Sequence, residues 1–82
     1  MNISACVFNS KVQHTVTLRT NDRESSLLIS PKADGSGSTV NGGELLFLAL
    51  ATCYCNDIYR EARKRSIEVQ SVEIDVSGEF AA

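Results

Sequence analysis

The residues of this sequence best suited to chemistry are its three cysteines, Cys6, Cys53 and Cys55. A cysteine thiolate is a strong nucleophile, but a nearby cation or hydrogen-bond donor must first lower the thiol pKa. Cys53 is the first candidate because it lies within a long apolar segment that resembles a helix. It would be about three turns from the helix N-terminus, too deep for the helix dipole to act. We therefore expect the activating cation from another segment, with Arg19 or Arg23 available. The alternative is that Cys53 is a small hydrophobic residue.

The spacing of the cysteines limits what they can do together. On a helix, Cys53 and Cys55 would point about 200° away from each other. They could not form a disulfide while the helix persists, because bridged Cβ atoms lie about 3.5–4.5 Å apart. The Cys-x-Cys pair has no second pair, and the only histidine, His14, is far away in the sequence. We therefore expect no metal and no cofactor, and His14 is interpreted as a partly buried structural residue.

Length and composition exclude several classes of protein. The 82 residues allow one small domain, and 43% hydrophobic with 22% charged residues is ordinary for a globular fold. A formal net charge of -2 argues against a nucleic-acid partner. The longest apolar run, 45–54, is about half of a membrane span, so no membrane partner is expected. The N-terminus has no basic leader, and three cysteines suit a reducing compartment, so the sequence predicts a cytoplasmic protein.

Three short strands precede the cysteine segment, at about 3–8, 12–19 and 25–30, and they predict a β-hairpin or a three-stranded meander. Turns are expected at Asn9-Ser10 and at 20–24. In the second strand the alternation predicts one apolar face, formed by Val12, His14, Val16 and Leu18. The glycine-rich loop 31–43 is interpreted as a flexible, exposed connector. Phosphate binding is the weaker alternative, because the loop lacks the lysine and spacing of a P-loop.

The segment that carries Cys53 is predicted to be a helix over about 42–65. Asn41 is a good N-cap, and Glu44 follows it at the capping-box spacing. Apolar residues surround the first three turns, and a helix that is apolar on every side must be covered on every side. We therefore expect a partner subunit. The helix is followed by an alternating strand at about 72–80, and the fold class is α+β.

The segments 43–53, 62–69 and 72–80 together resemble the OsmC/Ohr family of osmotically inducible and organic hydroperoxide resistance proteins. The family's hallmarks in these segments are a helix with the pattern P-E-x-L-L-x-A-L-x-x-C, whose proline is replaced here by Gly42, a basic helix exit and an acidic alternating strand. The resemblance implies an α+β fold in which two subunits intertwine around their central helices. It also implies a thiol-dependent peroxidase that reduces organic hydroperoxides. Its peroxidatic cysteine becomes a sulfenic acid, and a dithiol restores it.

Carried onto this sequence, the resemblance places the peroxidatic thiol at Cys53 and the thiolate-stabilising arginine at Arg23 or Arg19. The glutamate of the family falls at Gly43, with Glu44 beside it as a weak substitute. The family's resolving cysteine lies on a later helix that this sequence does not contain. Two alternatives therefore stay open. One is a non-catalytic dimerisation or small-ligand-binding module, and the other is a fragment of a longer protein.

Overall fold

The computed structural model describes residues 1–81, which form two compact units, one over Met1–Asn41 and the other starting at Gly42. The element order is β1 (Ile3–Ser10), β2 (Gln13–Thr20), β3 (Arg23–Leu27) and α1 (Gly42–Lys64). Three antiparallel strands followed by one long helix make an α+β arrangement, which confirms the predicted fold class. No helix within residues 1–81 has the length and apolarity needed to cross a membrane.

The first unit is a three-stranded antiparallel meander in the order β1-β2-β3. Its turns are tighter than predicted. Ser10 pairs with Gln13 and Thr20 pairs with Arg23, so each turn contains only two residues. The predicted turn at Asn9-Ser10 is therefore wrong, because both residues belong to β1. The third strand begins two residues earlier than its predicted start at 25 and ends at Leu27.

The more buried face of the meander is the one predicted for β2. Val16 is buried, and His14 and Leu18 are half-buried. Val12 was expected on this face, but it lies in the two-residue turn and its side chain is 89% exposed. In the β2–β3 turn, Asn21 adopts the left-handed conformation, with φ of 53°. Asparagine tolerates that region better than most residues, which lets so short a turn close.

The glycine-rich segment after β3 is more ordered than a plain connector. The backbone N–H of Thr39 donates to Ser30 at 2.9 Å, and that of Lys32 donates to Gly37 at 3.0 Å. A turn at its tip places Gly35 at φ of 80°. A Cβ on Gly35 would lie 2.7 Å from the Cα of Lys11, so only glycine fits there without a shift. We call residues 30–39 the glycine loop.

The helix α1 begins directly after Asn41, as its N-cap pattern predicts. It ends at Lys64, one residue before the predicted end. The N–H of Ile67 donates to the carbonyl of Ala62 at 2.9 Å, and Ser66 has a φ of 56°. This is the geometry of a Schellman C-cap, with serine in the position usually held by glycine.

The segment predicted as a strand at 72–80 is not a strand. The predicted alternation of burial holds over 72–76, where Val72, Ile74 and Val76 are half-buried while Glu73 and Asp75 between them are exposed. It fails at Gly78 and Phe80, which the alternation places on the covered face but which are exposed. A strand also needs a hydrogen-bonded neighbour, and among residues 1–81 the three-stranded sheet contains only β1, β2 and β3. Residues 68–80, here called the tail, instead pack beside α1.

Candidate functional site

Cys53 lies on the side of α1 that the tail does not cover. Its residue is exposed, and its thiol is free. Helical geometry places Leu50 and Leu46 on the same side, about one turn and two turns earlier respectively. Leu46 is 52% exposed and Leu50 is 43% exposed. We call this surface, formed by Leu46, Leu50 and Cys53, the open side of α1. It presents the candidate nucleophile in an apolar and accessible setting.

The opposite side of α1 faces the tail across a shallow groove. The groove has a volume of about 360 Å³, and it is lined by Glu44, Phe47, Leu48, Ala51, Ile74, Asp75 and Val76. At its end the rings of Phe47 and Phe80 stack with centroids 5.6 Å apart. Sequence reasoning did not identify this groove. The alternation at 72–76 together with the helical spacing of 44, 48 and 51 is the signal that could have indicated it.

The two helix cysteines therefore occupy different environments, as their spacing predicts. Cys55 is half-buried and falls by helical geometry on the groove side. Glu44 lines the groove and precedes Cys53 by nine residues, which is about 180° around the helix and roughly 13 Å along it. Within α1, Glu44 thus lies on the side of Cys55 and away from Cys53.

The two candidate arginines belong to the first unit, and the meander sets them on opposite faces. Arg19 pairs with Glu24 in the strand register, whereas Arg23 pairs with Thr20 one position along. The guanidinium of Arg19 already donates to the Glu24 carboxylate at 2.6 Å. Arg23 lies at the hairpin turn, where Thr20, Asn21 and Asp22 join it in lining an open polar depression. Of the two, Arg23 is the one without an ion pair within residues 1–81.

Cys6 and His14, the other candidate residues of the first unit, do not come together in one site. Cys6 is exposed on β1 opposite Thr17, and its thiol is free. His14 is half-buried, as predicted, and its Nδ1 is hydrogen-bonded to Asn9. In α1, Asp57 forms an ion pair with Arg60, and Glu61 forms one with Lys64. Among the described residues, no group of three or more metal-ligating side chains comes together.

Comparison with known proteins gives one family. The model of a family described as OsmC-like protein matches residues 35–82, which is more than half of the chain. The matched range includes the end of the glycine loop, all of α1 and the tail, and hence both helix cysteines. No curated protein and no solved structure matches the chain. The chain therefore belongs to the OsmC-like family of stress and redox proteins.

Proposed function

We propose that this protein reduces organic hydroperoxides through the thiolate of Cys53. The observation that carries the proposal is the position of Cys53 within the matched family segment, as a free thiol on the open side of α1. An accessible thiol beside the apolar side chains of Leu46 and Leu50 suits a substrate with an alkyl group next to a polar peroxide. A reducing compartment such as the cytoplasm would keep the thiol in its reactive form.

The proposed reaction has two stages. The Cys53 thiolate attacks the terminal peroxide oxygen, so a sulfur–oxygen bond forms while the oxygen–oxygen bond breaks. The leaving alkoxide takes a proton and departs as an alcohol, and Cys53 becomes a sulfenic acid. A dithiol from solution then condenses with the sulfenic acid, which releases water and forms a mixed disulfide. The second thiol of the dithiol attacks that disulfide, becomes oxidised with its partner, and returns Cys53 to the thiol.

An external dithiol is part of the proposal because the helix supplies no resolving partner. Cys55 is the nearest thiol in sequence, and it lies on the groove side of the same helix. Arg23 is the proposed thiolate-stabilising cation, since Arg19 is already engaged by Glu24. Glu44 is left out of the proposed chemistry because helical geometry directs it to the opposite side of α1 from Cys53.

The test follows consumption of cumene hydroperoxide with dihydrolipoamide as the dithiol. The expected result is turnover that Cys53→Ser abolishes and that Cys55→Ser, the matched control on the same helix, leaves within about twofold. Trapping with dimedone should add one label to Cys53 after a single equivalent of peroxide. Equal peroxide loss by wild type and Cys53→Ser would eliminate the proposal. A label on Cys55 or Cys6 in place of Cys53 would assign the chemistry to a different thiol.

The second candidate function is assembly with a second copy of the chain through the open side of α1. None of the residues of α1 is buried, and the surface of the chain measures 7075 Å². Two separate compact bodies of half this mass would together expose only about 5,800 Å². The difference, roughly 1,300 Å², exceeds the area of about 800 Å² that each partner buries in a standard interface. A homodimer would cover much of this surface.

Sedimentation velocity on the full chain tests the dimer. Wild type should sediment with twice the chain mass, and Leu46→Glu and Leu50→Glu should each shift it toward the monomer. Val12→Glu is the matched control, since Val12 is 89% exposed in a turn of the other unit, and it should leave the mass unchanged. A monomeric wild type would contradict assembly but would not bear on the Cys53 chemistry. A dimer without Cys53-dependent turnover would favour a non-catalytic module.

A further inference from the structure

Asn9 connects the first β-hairpin to the glycine loop. The backbone N–H of Gly37 donates to Asn9 Oδ1 at 3.3 Å, and Asn9 Nδ2 donates to the Gly37 carbonyl at 3.4 Å. One side-chain amide therefore binds both polar groups of one peptide residue. The same Nδ2 lies 3.1 Å from Nδ1 of His14. Asn9 and His14 are opposite each other in the register of β1 and β2.

The contacts with Gly37 fix the orientation of the Asn9 amide. If the amide were reversed, Nδ2 would face the N–H of Gly37, and Oδ1 would face its carbonyl oxygen. Both contacts would then join groups of like polarity. The group that Asn9 turns toward His14 is therefore the NH₂, which can only donate. Nδ1 of His14 must accept, and the ring proton of the neutral imidazole belongs on Nε2.

This arrangement depends on the protonation state of His14. In the imidazolium both ring nitrogens are donors, so Nδ1–H would meet the amide hydrogens of Asn9. We propose that Asn9 and His14 form a proton-sensitive latch, which holds the glycine loop on the β1–β2 hairpin when the imidazole is neutral and releases it when the imidazole is charged. Closing the latch and protonating the ring oppose each other. The closed form is therefore favoured as the pH rises and weakened as it falls.

Few other charged groups lie on the elements around the latch. β1 carries no charged residue, and Arg19 of β2 lies on the face opposite to His14. On β3, Arg23 shares the face of His14 but lies at the far end of the sheet, and Glu24 pairs with Arg19. The turn after β1 contributes Lys11, and the glycine loop contributes Lys32 and Asp34. None of these residues forms an ion pair with the imidazole of His14.

Besides the latch, the glycine loop meets the hairpin where Gly35 is buried against the backbone of Lys11. Asp34 accepts hydrogen bonds from the backbone and hydroxyl of Ser36, at 2.9 Å and 2.6 Å. These bonds keep the tip folded but do not attach it to the hairpin. Release would therefore detach the loop as a preformed unit, with the contact between Gly35 and Lys11 loosened.

Amide hydrogen exchange of the full-length protein between pH 8 and pH 5 tests the latch. The protection of the Gly37 N–H, measured against the unstructured-peptide rate at each pH, should fall roughly two- to tenfold, the factor for one hydrogen bond. The fall should follow the same midpoint as the ring-proton shift of His14. The Val16 amide in the sheet serves as an internal reference and should stay constant. Constant Gly37 protection, or a midpoint different from that of the ring, would overturn the latch.

Two variants distinguish an effect of His14 protonation from an effect of Asp34 protonation in the glycine loop. His14→Gln keeps a neutral side chain at every pH, so Gly37 protection should no longer change between pH 8 and pH 5. Asp34→Asn removes the loop carboxylate and should leave the wild-type response intact. A pH response that survives in His14→Gln, or that disappears in Asp34→Asn, would refute the assignment. The wild-type titration decides the question alone if either variant does not fold.

Discussion

The stacked pair of Phe47 and Phe80 provides the sharpest test of how the tail packs on α1. The ring centroids are 5.6 Å apart, with an interplanar angle of 26°. Truncating a fully buried phenylalanine to alanine costs about 3–5 kcal/mol. Phe80 is 65% exposed, so about a third of that cost applies, and Phe80→Ala should lower the free energy of unfolding by roughly 1–1.5 kcal/mol. Phe47 is half-buried, and Phe47→Ala should cost about 2 kcal/mol.

A double-mutant cycle isolates the contact itself. The double variant should be less destabilised than the sum of the two single variants, by about 0.5–1.5 kcal/mol for an aromatic pair. Urea unfolding at one fixed protein concentration measures each corner of the cycle. Gly78→Ala gives an independent check, because its Cβ would lie 3.0 Å from Cζ of Phe47. We expect a cost of about 1 kcal/mol as the ring shifts to make room.

The proposed contact between Phe47 and Phe80 is wrong if the two single substitutions lower the free energy of unfolding additively in the double variant. A coupling energy of zero would mean that the rings do not meet in solution and that the tail does not pack on α1 through them. Regular alternation of slow and fast amide exchange along 72–80 would also contradict it. That pattern belongs to a strand paired along one side in a sheet, and not to a segment packed beside a helix by its side chains. A strand is what the sequence alone predicts for 72–80.

Three further substitutions test local features of the fold. Ser66→Gly should raise the free energy of unfolding by about 1 kcal/mol in urea titrations, because glycine adopts the left-handed C-cap conformation without the penalty that serine carries. Gly35→Ala should lower it by roughly 2 kcal/mol or more, since φ is 80° and the new methyl group would meet the Lys11 backbone. Hydrogen bonds from Ser36 lower the pKa of Asp34 below 3.8. The charged Asp34 carboxylate therefore stabilises the loop fully above about pH 4, and this stabilisation is lost as the pH falls through the lowered pKa. In Asp34→Asn, a pH titration of loop stability should no longer show this loss at acidic pH.

The helix could be predicted from the sequence because its signals are local. Asn41 precedes it, strong helix formers fill it, and basic residues close it, so its observed bounds differ from the prediction by a single residue. The strands of the meander were also predicted, but their ends were displaced by up to three residues. Strand ends depend on which residues pair across a turn, and the pairs Ser10 with Gln13 and Thr20 with Arg23 are not local signals.

The tail shows where a sequence pattern is ambiguous. Alternation of Val72, Ile74 and Val76 with charged residues predicts that one side of an extended segment is covered, and that prediction is confirmed. The alternation does not specify which element covers that side. A neighbouring strand and the side of a helix both satisfy it, and only the contacts with Phe47, Leu48 and Ala51 decide for the helix.

For the candidate site, too, the sequence does not show which element covers which side of the helix. The sequence indicates that Cys53 and Cys55 point in different directions, but it does not indicate which of them the rest of the unit covers. The tail lies on the side of Cys55 and Glu44, which leaves Cys53 accessible beside Leu46 and Leu50. A carboxylate on the far side of a helix cannot position a thiolate on the near side. The proposed activation of Cys53 therefore requires a group that reaches the open side of α1 from outside the helix.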